Sequence, residues 1–288
     1  MARIAVIGPG AIGGTVAAWL AQDPAHDVTL CARTRLAALE IETPGGAIRA
    51  TPRVVTDPAA AEPVDWVIAA VKTYDCAAAA AWLPGLMGPE TRLAVFQNGV
   101  EHRERFRGLV PDEAVIPAIV DIPAERSAPG RILQRRYGTV VVPAGEDAFV
   151  ALFANTPIEA STTTDFVTAA WRKLAINCAG IVNGIALQPN GLAHDEGVAE
   201  VIRAVVRECV AVGRAEGAAM PDSIPDEIVA NYRAGPRDGV HSLLADRLAG
   251  RRTEVDARNV VIDRIGRRHG IDAPMNRALA ALLIASGG

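Results

Sequence analysis

Hydrophobic residues in the first 120 positions occur in short continuous runs, a pattern typical of strands buried on both faces of a sheet. We predict such strands over 3–8, 26–33, 65–72, 93–100 and 114–120. Helical spacing follows the first run over 10–22, and an alanine-rich helix follows 65–72 and stops at Pro84. Because strands that alternate with helices are joined by right-handed crossovers, these elements predict a parallel, doubly wound sheet.

The rest of the chain divides into a short β region and a long helical region. A hairpin is predicted over 39–56, and one or two antiparallel strands over 131–143 close the sheet before an edge and linker segment. From 165 onward we predict helices over 165–187, 195–217, 224–233, 239–268 and 274–286. The predicted fold class is α/β, with a sheet domain over 1–164 and an all-helical C-terminal domain over 165–288.

Composition narrows the class of protein. The net charge is -4, which argues against nucleic acid as a partner. The four cysteines show no metal-binding spacing and are typical of a reducing compartment. No segment reaches the roughly 18 continuous apolar residues of a membrane span, and the glycines near residue 10 do not suit a signal peptide. We therefore expect a cytoplasmic protein with no bound metal and no membrane partner.

A glycine-rich turn joins the first strand to the first helix. Its sequence, GPGAIG, matches G-x-G-x-x-G in the strand–turn–helix context that binds a dinucleotide pyrophosphate. Gly8 permits the tight turn, Gly10 lets the backbone approach the pyrophosphate, and Gly13 allows close packing of helix on strand. The predicted cofactor contacts here are Gly8, Pro9, Gly10, Ala11, Ile12 and Gly13. This makes 1–164 a Rossmann-type, cofactor-binding domain.

The end of the second strand distinguishes NADP(H) from NAD(H). An NAD-binding domain usually places an acidic residue there for the ribose 2′-hydroxyl. This chain has Cys31 at that position and Arg33 two residues later, and a guanidinium pairs well with a 2′-phosphate. The pattern favours NADP(H), although Arg33 also has a simpler interpretation as a solvated loop arginine.

Two further polar residues follow buried strands on the same edge of the sheet. Lys72 comes at the end of 65–72, and Asn98 comes at the end of 93–100. Ligands of open α/β sheets bind beyond the carboxyl ends of the strands. We predict that Lys72 and Asn98 contact cofactor or substrate, the alternative being ordinary solvated side chains.

A nicotinamide cofactor can deliver a hydride, and the reduction of a carbonyl to an alcohol also needs a group that protonates the carbonyl oxygen. Lys173 and Asn177 lie one turn apart on a predicted helix and share a face with apolar neighbours, away from Arg172. Lys173 is the candidate proton donor, and Asn177 would orient the lysine or the substrate carbonyl. The alternative is a lysine whose stem covers apolar surface while its ammonium reaches water.

Glu254 lies on a predicted helical stripe that also carries Arg258. On spacing alone, the favoured interpretation is an i,i+4 ion pair between these two residues, which would contribute only a few tenths of a kcal/mol.

Taken together, the motifs resemble those of the ketopantoate reductase (2-dehydropantoate 2-reductase) family over nearly the whole chain. In the first half they are RIAVIGPGAIG, TLCAR, VKT, QNGV and the Pro129-Gly130 pair. In the second half they are WRKLAINC, PNG, HSLLAD with RRTEVD, and HGIDAPMN.

The resemblance implies an NADPH-dependent reductase that converts a 2-oxo acid, ketopantoate first of all, to a 2-hydroxy acid in pantothenate biosynthesis. It implies Lys173 as general acid, Asn98 and Asn177 around the lysine and substrate, and Ser242 and Asn190 at the substrate. Glu254 would lie close to the ribose and nicotinamide end of the cofactor, which replaces the ion-pair interpretation. Arg33 and Lys72 would join the glycine turn in the NADPH site.

Two positions depart from the family pattern. Ile181 replaces an asparagine four residues after Asn177, and Gly239 replaces an asparagine three residues before Ser242. Two alternatives therefore stay open: a reductase of the same family with another carbonyl substrate, or a non-catalytic NADP(H)-binding regulator. A homodimer is compatible with the helical domain.

Overall fold

The computed structural model describes all residues, Met1–Gly288, and the chain divides into two compact units. The first consists of Met1–Gln97 and Glu101–Phe166, and the second consists of Asn98–Val100 and Val167–Gly288. Asn98–Val100 therefore belongs to the second unit although it follows a strand of the first.

The first unit is built around a six-stranded sheet in which every pair is parallel. The chain's strands are β1 (Ala2–Ile7), β2 (His26–Cys31), β3 (Leu39–Thr43), β4 (Gly46–Ala50), β5 (Arg53–Val55), β6 (Val64–Ala69), β7 (Met87–Val95), β8 (Val115–Pro117), β9 (Ile119–Asp121), β10 (Ala124–Ala128), β11 (Arg131–Gln134), β12 (Thr139–Pro143) and β13 (Glu159–Thr163). The large sheet has the order β5-β2-β1-β6-β7-β8. Its order reverses between β1 and β6, the point where such sheets bind ligands. The predicted doubly wound sheet is confirmed.

Two smaller sheets complete the β region. The predicted hairpin over 39–56 is confirmed over 39–50 as the β3–β4 pair, within a sheet of order β10-β11-β3-β4. The end of that segment is instead β5, which pairs parallel with β2 at the edge of the large sheet. The segment 131–143 contributes two strands as predicted, but each pairs antiparallel on one side and parallel on the other. The segment predicted as edge and linker contains β13, whose polar composition does not show the alternation of a half-buried strand.

The eleven α-helices vary greatly in length. They are α1 (Ala11–Leu20), α2 (Cys76–Ala80), α3 (Leu83–Leu86), α4 (Asp147–Val150), α5 (Phe166–Ala179), α6 (Ile181–Ala186), α7 (Glu196–Ala215), α8 (Ile224–Ala234), α9 (Ser242–Leu248), α10 (Val261–Arg268) and α11 (Pro274–Ala285). The alanine-rich helix, α2, ends at Ala80 and not at Pro84 as predicted. Pro84 lies in the first turn of the separate helix α3, where its missing N–H costs no hydrogen bond. None of the helices is long and apolar enough to cross a membrane.

In the second unit, α5 to α11 pack around one hydrophobic core, with Trp171, Leu174 and Ile202 among its members. The predicted helix over 165–187 is broken at Gly180, between α5 and α6. The predicted helix over 239–268 is wrong in its middle: α9 ends before Gly250, which has a φ of +63°, and a π-helical turn (Asp256–Val260) precedes α10. A left-handed glycine of this kind commonly ends a helix.

Candidate active site

The glycine turn after β1 has the geometry that its sequence predicts. Gly8 has a φ of +87°, and a Cβ built there would lie 2.6 Å from Val71 Cγ1. A Cβ on Gly13 would lie 2.3 Å from the carbonyl oxygen of Gly8. Neither position accommodates a side chain, because real Cβ atoms do not approach other heavy atoms so closely. The turn therefore needs glycine at both positions.

Gly10 differs from the other two glycines because it faces open space. No protein atom lies within 4 Å of a Cβ built there, so the packing of the protein itself does not require glycine at this position. Gly10 is the N-cap of α1, and the first turn of α1 carries no acidic residue. The unpaired N–H groups and the positive dipole end of α1 are thus available to an anion.

The end of β2 carries positive charge and no acidic group. Cys31 is buried, and burial raises the pKa of its thiol to about 12, so it is neutral. Arg33 follows in an exposed loop and has no protein carboxylate as a partner. Lys72 lies after β6, where it is the N-cap of a short 3-10 turn (Thr73–Asp75) and is half-buried. The glycine turn, Arg33 and Lys72 are all in the first unit.

The second unit brings three of the predicted site residues into one hydrogen-bonded chain. Asn177 Nδ2 donates to Asn98 Oδ1 at 3.2 Å, and Asn98 Nδ2 donates to Glu254 Oε2 at 2.9 Å. Both ends of the Asn98 amide are therefore engaged, which fixes its orientation. The strand predicted to end at Asn98 in fact ends at Val95, and the segment Asn98–Val100 packs with the helices instead.

Lys173 lies one turn before Asn177 on α5, and both are half-buried at the edge of the buried face of this helix. Its neighbour Arg172 is exposed and pairs with Glu227 at 3.3 Å. The charge of Lys173 contributes to lowering the pKa of His241 to about 4, after the larger contributions of burial and of Arg258. Lys173 thus acts electrostatically on a buried group of the helical unit.

Glu254 is buried, with 4% of its surface exposed. It precedes the π-helical turn instead of lying inside a regular α-helix, so the i,i+4 spacing to Arg258 does not apply. Arg258 donates from Nη2 to Ser242 Oγ at 2.7 Å, while Glu254 accepts from Asn98. Glu254 acts on Arg258 through its charge, while the two side chains form hydrogen bonds with Asn98 and Ser242 respectively. Short π-helical turns frequently occur at functional sites.

Asn190 is in contact with Gly239. Asn190 is a predicted substrate residue, and Gly239 is one of the two departures from the family pattern. The backbone N–H of Asn190 donates to the carbonyl of Gly239 at 3.0 Å. A Cβ on Gly239 would lie 2.6 Å from Asn190 Nδ2, so the Asn190 side chain fills the space that a side chain at 239 would need. Asn190 Oδ1 is buried without a hydrogen-bond partner. Ile181, the other departure, is fully buried in the core.

Three residues of this region are not among the predicted site residues: Arg258, His241 and Tyr232. Arg258 is 2% exposed, and the rings of Tyr232 and His241 pack with centroids 4.8 Å apart. The sequence contains no signal for Arg258, because Asp256 and Asn259 make its surroundings look like an ordinary polar segment. Its helical spacing from Glu254 suggested an ordinary surface pair instead.

Comparisons with known proteins identify the family to which the chain is similar. The chain matches the family model for ketopantoate reductase PanE/ApbA over residues 4–147, and the model for the C-terminal region of the same family over residues 165–286. The 2-dehydropantoate 2-reductase of Caulobacter vibrioides is 59% identical over 288 residues, with 99% of each chain covered. A crystal structure of a PanE/ApbA family ketopantoate reductase from Ralstonia eutropha JMP134 has a TM-score of 0.90 at 32% identity, covering 99% of this chain and 98% of the other.

The same fold also occurs in a protein that is named as a D-mandelate dehydrogenase. The ternary structure of D-mandelate dehydrogenase with NADH and anilino(oxo)acetate matches with a TM-score of 0.88 at 20% identity, covering 99% of this chain and 98% of the other. At this identity the match shows the fold alone. The fold therefore does not decide the substrate or the choice between NADH and NADPH.

Proposed function

This chain belongs to the ketopantoate reductase family, and from that premise we propose that it reduces 2-dehydropantoate (ketopantoate) to pantoate with NADPH, a step of pantothenate biosynthesis. The observation that carries this proposal is the hydrogen-bonded chain of Asn177, Asn98 and Glu254, with Lys173 one turn from Asn177. A carbonyl reductase needs an amine that can transfer a proton and neighbouring polar groups that hold it in place, whereas a protein that only binds the cofactor does not.

The residues of the first unit suit a phosphorylated dinucleotide. Gly10 leaves room for a pyrophosphate against the free N–H groups of α1. At the end of β2, a carboxylate would repel a 2′-phosphate, but Cys31 is neutral and Arg33 is free to pair with it. Lys72 adds a second positive charge at the same edge of the sheet. NADP(H) is therefore the proposed cofactor, held by 8–13, Arg33 and Lys72.

The reaction adds two electrons and two hydrogens to a 2-oxo acid. When bound, the nicotinamide supplies a hydride to the keto carbon. We propose that Lys173 donates a hydrogen bond to the keto oxygen and transfers a proton to it as negative charge develops there. The product is the 2-hydroxy acid, and Lys173 regains its proton from solvent.

The remaining residues hold these groups in place. Asn98 is fixed between Asn177 and Glu254, so we assign it to orienting the lysine and the nicotinamide end of the cofactor, together with Glu254. Asn177 and Ser242 would hold the substrate, with Asn190 at its distal end. Orientation of this kind contributes to rate because misplacement of reacting groups by about 1 Å can cost a hundredfold.

Absorbance of NADPH during incubation with a panel of 2-oxo acids tests the proposal. We expect the highest kcat/KM for ketopantoate, and far lower values for pyruvate, 2-oxoisovalerate and phenylglyoxylate. Efficient turnover of another 2-oxo acid without turnover of ketopantoate would leave the reaction type standing and overturn the substrate.

That outcome is the second candidate function, a reductase of the same family with a different carbonyl substrate. It is favoured by one observation: Gly239 and Ile181 replace polar residues of the family pattern, and Ile181 is fully buried. No turnover of any carbonyl compound, with NADPH binding intact, would point instead to the non-catalytic regulator.

We infer further that the protein works in the cytoplasm as a homodimer. Its proposed substrates are small, charged and water-soluble, which places the reaction in an aqueous, NADPH-containing compartment. The second unit exposes large apolar side chains on α9, on α11 and just after α6, a helix that contacts both of them, namely Leu248, Leu282, Ile284 and Leu187. Such side chains suit a surface that a second copy covers.

A further inference from the structure

Arg258 is a charged group in the interior of the helical unit. Its side chain is 2% exposed, and it lies on the π-helical turn between Glu254 and α10. Nη2 donates to Ser242 Oγ at 2.7 Å, whereas Nε is buried with no hydrogen-bond partner. Burying a charged guanidinium with one N–H group unbonded costs free energy, so another interaction is expected to compensate for it.

The charge of Arg258 acts on several neighbours. Burial lowers the pKa of Arg258, while Glu254 and Asp246 counteract that effect, and an arginine stays protonated at neutral pH in any case. Burial and the Arg258 charge lower the pKa of His241 to about 4. His241 is therefore neutral near pH 7 and adds no charge of its own beside Arg258.

Polar atoms of three residues in this unit also lack partners. Tyr232 Oη, His241 Nε2 and Asn190 Oδ1 are all buried with no hydrogen bond from the protein. Tyr232 and His241 stack on each other, and the charge of Arg258 lowers the pKa of Tyr232 against the dominant raising effect of burial. Buried polar atoms are normally satisfied by protein, water or ligand, so this cluster indicates a place where a polar ligand group completes the bonding.

The hydrogen bond from Arg258 also determines what Ser242 can do. A serine hydroxyl has one proton and two acceptor lone pairs. Because Oγ accepts from Arg258, the O–H proton is directed away from the guanidinium and is available to donate. A hydroxyl polarised in this way by a cation is a good donor to an anionic oxygen.

We propose that Arg258 is a specificity-determining positioning residue, which orients the Ser242 hydroxyl and supplies the positive charge that selects a carboxylate on the substrate. The inference rests on the proposed function, which supplies the 2-oxo acid. Arg258 acts through Ser242 and through its charge, and it does not touch the reacting carbon. A neutral carbonyl compound would gain little from this pair, since it has no negative charge to place beside the guanidinium.

The test compares an acid substrate with a neutral one. Ketopantoate and its neutral amide are assayed with wild type, Arg258→Met and Arg258→Lys, with NADPH in excess. We expect Arg258→Met to lower kcat/KM for ketopantoate about 10- to 100-fold, mainly through KM, because a hydrogen bond with a charged partner is lost. The amide should lose less than about 3-fold, and Arg258→Lys should recover part of the loss because it restores the charge.

A binding measurement separates this inference from the proposed function. Calorimetric titration of pantoate into each variant loaded with NADP⁺ reports carboxylate recognition without turnover. Weaker pantoate binding in Arg258→Met, with unchanged NADP⁺ affinity, supports the inference even if ketopantoate is not the substrate. Equal losses for acid and amide, or unchanged pantoate binding, would overturn it.

Ser242→Ala provides a second line of evidence if Arg258→Met folds poorly. If the two residues act as a unit, Arg258→Lys should cost less in a Ser242→Ala background than in wild type, because the hydroxyl that it orients is already gone. Additive losses for these two substitutions would contradict the coupling. Thermal melting of each variant shows whether it is folded.

Discussion

Arg33 is the residue to which we assign the choice between NADPH and NADH. It is exposed, lies two residues beyond β2, and has no protein carboxylate to neutralise it. Cys31, which takes the place of an acidic residue, is neutral because burial raises its pKa to about 12. The chain thus combines a free guanidinium with the absence of a competing negative charge at the strand end.

Replacement of Arg33 by alanine should change the preference between NADPH and NADH. We expect the KM for NADPH to rise about 10- to 100-fold, since a charge-assisted bond to the 2′-phosphate is lost, and the KM for NADH to stay within about 2-fold. Arg107→Ala, at an exposed arginine of the same unit, is the matched control. Equal changes for both cofactors would contradict the assignment of Arg33.

Buried histidines make stability depend on pH. Burial is the main cause that lowers the pKa of His102 from 6.5 to about 3, and this side chain is 2% exposed. Between pH 6.5 and 3 the unfolded chain therefore binds a proton at this residue that the folded chain does not. His102 therefore does not reduce the free energy of unfolding above about pH 6.5. As the pH falls below that value, His102 lowers the free energy of unfolding by at most about 1.4 kcal/mol per pH unit.

The variant His102→Asn should show this directly. We expect its melting temperature to be lower than that of wild type at pH 7.5, because the hydrogen bond to the Gln97 carbonyl is lost, but to fall less steeply between pH 7.5 and 5. Exposed His194 provides the control, and His194→Asn should keep the wild-type slope. A slope that is identical in all three proteins would contradict the account.

At the scale of elements, the turn between β1 and α1 has glycines that the fold requires, Gly8 and Gly13, and one that we assign to cofactor binding, Gly10. Gly13→Ala should lower the melting temperature by about 3–10 °C, because its Cβ would overlap the Gly8 carbonyl and overpacking costs about 1–3 kcal/mol. Gly10→Ala should melt like wild type and bind NADPH at least tenfold more weakly. Calorimetry and fluorescence titration of both variants check this, and loss of stability in Gly10→Ala would count against it.

The elements that sequence could predict are those governed by local pattern. The parallel strands β1, β2 and β6 are continuous apolar runs, and the glycine turn has a fixed relation to them. Polar β13 and the break at Gly250 depend on pairing and packing that a periodicity does not contain. Within the candidate site, the grouping of Lys173 with Asn177 follows from helical spacing.

Other parts of the candidate site could not be predicted from local pattern. The hydrogen bond between Asn98 and Glu254 joins residues 156 positions apart, so no spacing rule reaches it. The bond from Arg258 to Ser242 escapes prediction for a related reason, since a π-helical turn changes which residues share a face.

For the whole molecule, the oligomeric state is the main open prediction. We expect light scattering during gel filtration to give twice the 30.2 kDa mass of the chain. Leu282→Glu should shift the mass toward the monomer, because a charge would be buried in the interface, whereas Leu109→Glu, at an exposed position of the first unit, should not. A wild-type monomer at micromolar concentration would contradict the homodimer.

The proposed role of Lys173 as the proton donor is tested by steady-state kinetics of Lys173→Ala. We expect kcat with ketopantoate to fall about 10²- to 10⁴-fold, the usual contribution of a general acid, while the dissociation constant for NADPH changes less than about 3-fold. Arg172→Ala, next to Lys173 but exposed, should keep the wild-type rate. A Lys173→Ala enzyme that turns over at the wild-type rate would contradict the account.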